Sequence, residues 1–180
     1  MAMTLLSTSV ADGDANLSIT SNIDSTYKLY LIKMIGVNPA TASNAILIFQ
    51  ANASGQSGFN ETITTTYFSA YHPEADSGQY FNFEDGEQVS QGTGYQQIMR
   101  SSCGEGADES GVGTLWLFNP SNTTYVKHWY FENTYYAADN AAAHDFIAGY
   151  FNVTAAITDI DFKFYNGSNF DGTFKLYWEG

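Results

Sequence analysis

Thr158-Asp159-Ile160-Asp161-Phe162-Lys163-Phe164-Tyr165 decides the fold class. Ile160, Phe162 and Phe164 fall on one side of an extended chain, and Asp159, Asp161, Lys163 and Tyr165 fall on the other. A period of two is what a half-buried antiparallel strand requires. Asn166-Gly167 follows, a pair that tolerates the positive φ angles of a tight reversal. A second turn signal, Asp171-Gly172, precedes Thr173-Phe174-Lys175-Leu176-Tyr177-Trp178, where Phe174, Leu176 and Trp178 alternate with Thr173, Lys175 and Tyr177. The expectation is a hairpin whose last strand is paired inside a sheet.

Outward from this hairpin the chain repeats the theme. Tyr27 to Val37 is a continuous apolar and aromatic run, predicted as a central strand with a possible bulge at Gly36 and closed by Asn38-Pro39. Ala45–Gln50, Glu61–Ala70, Gly113–Phe118, Thr123–Tyr136 and Phe146–Asn152 read as further strands, and the stretch from Ala137 to His144 as an excursion with room for one helical turn. In the run ending at Tyr136, Tyr125, Lys127, Trp129 and Phe131 take one side and Thr124, Val126, His128 and Tyr130 the other. The fold class predicted is all-β, an antiparallel β-sandwich or jelly-roll-like domain of eight to ten strands with no long helix. Residues 1–15 read as an N-terminal arm and 16–180 as one domain, with a long loop insertion at about 71–113 whose strand signals are weak. A loop of that length inside a compact domain is committed to a contact or poorly ordered. The expectation is that a neighbouring copy or an underlying surface orders it.

Composition sets the outer limits. The chain has 180 residues, long enough to bury a core without metal or disulfide staples. Thirteen Tyr, 13 Phe and 3 Trp favour strands. Six Lys+Arg against 19 Asp+Glu leave a net charge of −13, the wrong sign for nucleic acid or an anionic membrane. The lone Cys103 permits no internal disulfide and reads as a small, partly buried thiol. Met1-Ala-Met-Thr-Leu-Leu lacks the pattern of a secretory leader.

Four blocks in one order carry a family resemblance: "IDSTYKLYLIKMIGVNPATA", "TTTYFSAYHPEADSGQYFN", "LFNPSNTTYVKHWYFEN" and "AGYFNVTAAITDIDFKFYNGSNFDGTFKLYWEG". This order resembles short virion-associated proteins of tailed bacteriophages, notably marine ones, whose ends read as an aliphatic-aromatic strand, a Gly turn and a Gly-Thr-Ile-Lys-Leu-Tyr-Gly-like terminus. The resemblance covers nearly the whole chain from about residue 16. Here Trp178-Glu179-Gly180 stands at the end instead. It implies a structural role and brings no catalytic residues.

Other chemistry finds little footing in the residues. His72, Glu74 and Asp76 alternate beside Pro73 and are metal-ligand types, but a transition-metal site wants a further His or Cys, so a polar contact loop is the preferred reading. Asp12, Asp14 and Asn16 alternate without the rest of a calcium loop. Nucleophile-elbow, phosphate-loop and dinucleotide fingerprints are missing from the sequence. The six Asn-x-Ser/Thr triplets reflect the Asn, Ser and Thr content of turns.

The function expected from these readings is a non-enzymatic virion structural protein on the particle surface, with capsid decoration or cement favoured. The alternative is a tail-fibre or receptor-binding tip that recognises a host surface glycan, with Tyr71, Tyr80 or Tyr135 stacking on sugars; a carbohydrate-active enzyme is the remote third. The expected interface residues are Tyr71, His72, Glu74, Asp76, Tyr80, Phe81, Phe83 and Tyr95. The expected partners are further copies of the chain, as a trimer by analogy, and major capsid or tail proteins. Synthesis in the host cytoplasm is expected, with no cofactor, metal, nucleic acid or membrane.

Overall fold

The structure, a computed structural model, describes residues 2–180. Among them are thirteen strands and no helix: β1 (Met3–Asp14), β2 (Asn16–Ile19), β3 (Leu29–Pro39), β4 (Leu47–Ala53), β5 (Ile63–Pro73), β6 (Tyr80–Phe83), β7 (Ser90–Gly92), β8 (Gln96–Gln97), β9 (Gly111–Phe118), β10 (Lys127–Ala137), β11 (Ala141–Phe151), β12 (Ile157–Phe164) and β13 (Phe170–Glu179). All ladders are antiparallel. A nine-stranded sheet runs β1-β13-β3-β9-β10-β11-β5-β6, with β7 also on β5, and a four-stranded sheet runs β2-β12-β4-β8. The architecture is an all-β sandwich.

The orders β1-β13-β3 in one sheet and β2-β12-β4 in the other match, because they are two halves of one three-stranded ribbon folded over a corner. The predicted terminal hairpin is corrected by this arrangement. β12 and β13 do not pair; they lie in opposite sheets, facing each other. The alternation was read correctly, and it explains the fold-over. Phe162, Phe164, Phe174 and Leu176 are all buried, and Phe162 meets Phe174 across the sandwich with ring centroids 5.0 Å apart. A flat hairpin would leave these two apolar faces side by side on one surface, whereas folding the ribbon buries each against the other. Gly167 supplies the positive φ (74°) at the corner, and Asn166 ties it down by donating to the carbonyl of Ser43 at 2.7 Å. Asp171-Gly172 sits at a register shift inside the ladder rather than in a turn.

The long run read at Tyr27–Val37 forms β3, Leu29–Pro39, which is central between β13 and β9, and its register shift between Met34 and Val37 falls at Gly36 (φ 62°). Of the arm read at 1–15, Met3–Asp14 form β1, a full edge strand, and Met1 lies outside the described residues. The excursion at 137–144 has no helical turn. Ala137 pairs with Ala141 across a tight reversal with Asn140 at φ 62°, and β11 already starts there. The count exceeds the expected eight to ten because β6, β7 and β8 are only four, three and two residues long.

The four-stranded sheet is too narrow to cover its partner. The remainder of the inner face, over β5, β10 and β11, is closed by residues 84–110. For the loop read at about 71–113 the expectation is ordering by a neighbouring copy or an underlying surface; within it Ile98, Met99 and Cys103 are completely buried, and the backbone N–H groups of Ile98 and Cys103 donate to the carbonyls of Leu47 and Ala45 at 2.9 Å. The contacts that order the stretch come from the chain itself.

Candidate interaction surface

The inner row Asn133–Asp145–Ser69 crosses β10, β11 and β5 and puts three adjacent polar side chains against the core. Asp145 Oδ2 accepts from the backbone N–H of Arg100 at 2.9 Å and from Asn133 Nδ2 at 3.4 Å. Burial pushes the Asp145 carboxyl up to about 6, against the hydrogen bond from Arg100, which lowers it. The neighbouring Tyr67 hydroxyl, itself pushed well up by burial, and Asp145 Oδ1 are buried without hydrogen-bond partners. At the rim, Arg100 Nε bonds Glu84 at 2.9 Å and lies 3.6 Å from Glu87. Asp145 itself has no exposed surface, so it reaches no substrate from solvent. Lys127, also fully buried, spends all three donors on the carbonyls of Tyr125, Val153 and Thr154, a structural clamp whose charge burial disfavours. Cys103 is buried more deeply than expected, and burial pushes its thiol up to about 12, the opposite of an activated nucleophile.

The expected interface residues divide into three groups. Tyr71, His72, Glu74, Asp76 and Tyr80 gather at one end of the nine-stranded sheet. There Tyr71 stacks on Tyr80 with centroids 4.9 Å apart and donates to Asp139, His72 Nε2 lies 3.1 Å from Asp76 Oδ1, and Tyr136 donates to Glu74 at 3.3 Å. Phe81 and Phe83 stand apart from these, on the outer face of the same sheet, 69% and 61% exposed. Tyr95 belongs to neither group. It packs on the four-stranded sheet, donating to Asp161 at 2.9 Å beneath the ammonium of Lys163, 3.9 Å from its ring. Tyr135, expected at a loop tip, is in the core with its hydroxyl accepting from the Ser101 N–H at 2.8 Å. His72, Glu74 and Asp76 do not converge, and among the described residues no group of three or more His, Cys, Asp or Glu side chains is placed to hold a metal.

What the structure does bring together is a surface that alternation alone conceals. In β9, β10, β11 and β5 the residues facing away from the core include Trp116, Phe118, Tyr130, Phe146, Tyr150 and Phe68. Two ladders of rings run across these strands. Phe118, Tyr130 and Trp116 form one, with centroids 5.8 and 4.3 Å apart; Phe81, Phe68, Phe146 and His144 form the other, at 5.6, 4.9 and 4.3 Å. Beside the first ladder lies a depression of about 450 Å³ between Tyr130, His128 and Tyr150, floored by Ala148 and Thr66. Among the described residues at outward positions of these four strands, Glu132 is the single acid, and His144 Nε2 sits 3.2 Å from it. The flanking strands add Lys33 and Lys175, which are directly paired, and Glu179, near the Tyr130 hydroxyl. A chain with 19 acids thus keeps all but Glu132 off the outward positions of these four strands.

The sequence reading assigns most aromatics to core and inter-subunit packing together, without telling which rings do which. The signal that would have found them is Leu115-Trp116-Leu117-Phe118, a run apolar at every position, on strands whose inner positions already fill the interior. No match to this chain is found among protein-family models, curated proteins or solved structures.

Proposed function

We propose that the chain is a non-enzymatic structural protein carried on the outside of a phage particle as capsid decoration, seated on it by the outer face of the nine-stranded sheet. The observation that carries the seating is the concentration of aromatic side chains and the scarcity of acids on one face of a strongly acidic domain. Interface cores are depleted of charge and rich in Tyr, Trp and Phe, and exposed apolar patches of this kind mark contact sites. The particle itself rests on the sequence resemblance. Phe81 and Phe83 then join the interface, while the acid-rich loops face outward and keep particles apart.

Ring orientation favours this reading over the glycan-binding tip. Stacking on a sugar uses an open ring face, and Tyr130 and Phe146 are each stacked on two ring neighbours at 16 to 28°, while Phe68 is stacked on Phe146 at 16° and tilted against Phe81 at 56°. Such rings offer edges to a partner, which suits packing against protein side chains.

The test is incorporation. Phe118→Glu with Tyr130→Glu is expected to leave the circular dichroism of the free protein unchanged and to remove it from particles. A particle map at side-chain resolution checks the address. Many copies on the shell with this face inward is the expected result; copies at the tail, or a face open to solvent in every copy, would overturn it.

A further inference from the structure

Sheets end in edges, and an unpaired edge is a template for another strand unless it is short, charged, interrupted by Pro or covered. Three of the outer strands here are short. β6, at the far side of the nine-stranded sheet, has four residues followed by Glu84 and Asp85, and in the small sheet β2 has four residues and β8 two. β1 is the exception, with twelve residues. From Met3 to Ala11 it contains no Asp, Glu, Lys, Arg or Pro, and its outward Leu5 and Val10 are 48% and 62% exposed. Its one irregularity before Asp12 is the register shift at Leu5/Ser7. β13 occupies one side of β1, and among the described residues no strand occupies the other.

We propose that β1 pairs antiparallel with β1 of a second copy of this chain, joining two nine-stranded sheets across a two-fold axis near Ser7. Self-complementarity selects the occupant, because a long uncharged edge offers its N–H and C=O row to an identical edge across a two-fold axis, and charge selects the direction. Each copy carries a net charge of −13, so copies meet at least cost where acids are absent, and Met3–Ala11 is such a stretch. Beside it β13 sets Lys175 against Thr8 and Glu179 against Met3, at the end of the stretch, and Lys33 of β3 pairs with Lys175. In the antiparallel register about Ser7, Asp12 and Asp14 of one copy pass beyond Met3 of the other. A parallel seam would stack Asp12 on Asp12 and Asp14 on Asp14. Head-to-tail pairing of β1 with β6 of the next copy would leave most of β1 unpaired. The contact is therefore isologous and closes at two copies, where analogy alone suggested three.

Light scattering and hydrogen exchange on the free full-length chain test the pairing without any particle. The expected mass rises with concentration from 19.8 kDa towards twice that value. At high concentration the β1 amides exchange slowly, and dilution speeds them while β3 amides stay unchanged. Thr8→Lys with Val10→Lys, the charges that natural edges use, is expected to hold the mass at the monomer value. Ser7→Cys is expected to oxidise to a linked dimer, since Cys103 is buried and does not compete. A wild-type monomer at every concentration, or a dimer whose β1 amides ignore dilution, overturns the proposal. That second check needs no variant to fold. Phe118→Glu with Tyr130→Glu leaves this dimer intact, so failure here is separable from failure of the particle reading.

Discussion

The inner face of the nine-stranded sheet is covered in two ways, and the two halves obey different rules. Under the four-stranded sheet the contacts are rings. Phe49 meets Trp129 edge-on at 4.8 Å and Phe162 at 6.1 Å, and Phe162 meets Phe174 at 5.0 Å. Backbone polar groups there are satisfied by the ladders, so side chains are free to be apolar. Under residues 84–110 the covering backbone is irregular, and its buried N–H and C=O groups need partners from elsewhere. The sheet provides them: Asn133 donates to the Ile98 carbonyl, Asp145 accepts from the Arg100 N–H, and the Tyr135 hydroxyl accepts from the Ser101 N–H. Gln96 repeats the pattern, its amide donating to the Glu87 carbonyl at 3.0 Å while its carbonyl accepts from Thr65 at 2.8 Å. One half is held by area and shape, the other by directed hydrogen bonds.

That contrast is sharpest at Phe162. Phe162→Ala is expected to cost about 3–5 kcal/mol, because the ring is fully buried among rings that cannot collapse into its space. Urea unfolding would register it as one cooperative loss across the molecule. A near-wild-type midpoint would break the claim that the ring half carries the stability.

The next effect is a pH dependence confined to the polar half. Asp145 is pushed up to about 6 when folded, whereas an unfolded Asp titrates near ~4. The folded state therefore binds the extra proton between these values. The stability this contributes is fully present below about 4 and is lost as pH rises through about 6, by at most ~3 kcal/mol. Asp145→Asn removes this term, so the stability of wild type relative to the variant is expected to fall from pH 4 to pH 6. A constant difference across that interval would mean that Asp145 titrates as it does in the unfolded chain.

Smallest and most local is Asn133→Ala. It strands the Ile98 carbonyl and removes one donor to Asp145, an expected cost of about 1–3 kcal/mol. Hydrogen exchange separates the two halves: amides at 96–103 are expected to lose protection while those of β12 keep theirs. Equal loss in both would show the interior to be one cooperative unit.

Legibility in the sequence follows the same division. Ile160/Phe162/Phe164 and Phe174/Leu176 were readable as buried strand faces because a ladder fixes the backbone and leaves burial to set a period of two. Gln96, Asn133 and Asp145 were not readable as interior, since each is an ordinary surface type whose burial is justified only by a backbone group from a distant part of the chain. The interface candidates near Pro73 were chosen for turn chemistry and exposure. The aromatic face was passed over because Trp116 and Phe118 look like core until Leu115 and Leu117 are seen to occupy it.

By itself, then, the sequence determined the strand periodicity, the central place of the run ending at Pro39 and the all-β class, since these depend on neighbours two residues away. The tertiary structure alone decided that β12 and β13 part company at Gly167 and face each other across the core. It also decided that residues 84–110 fold inward, and which side of each two-sided apolar strand stays outside. Those outcomes depend on which surfaces remain uncovered once every strand is placed, and no local pattern encodes that.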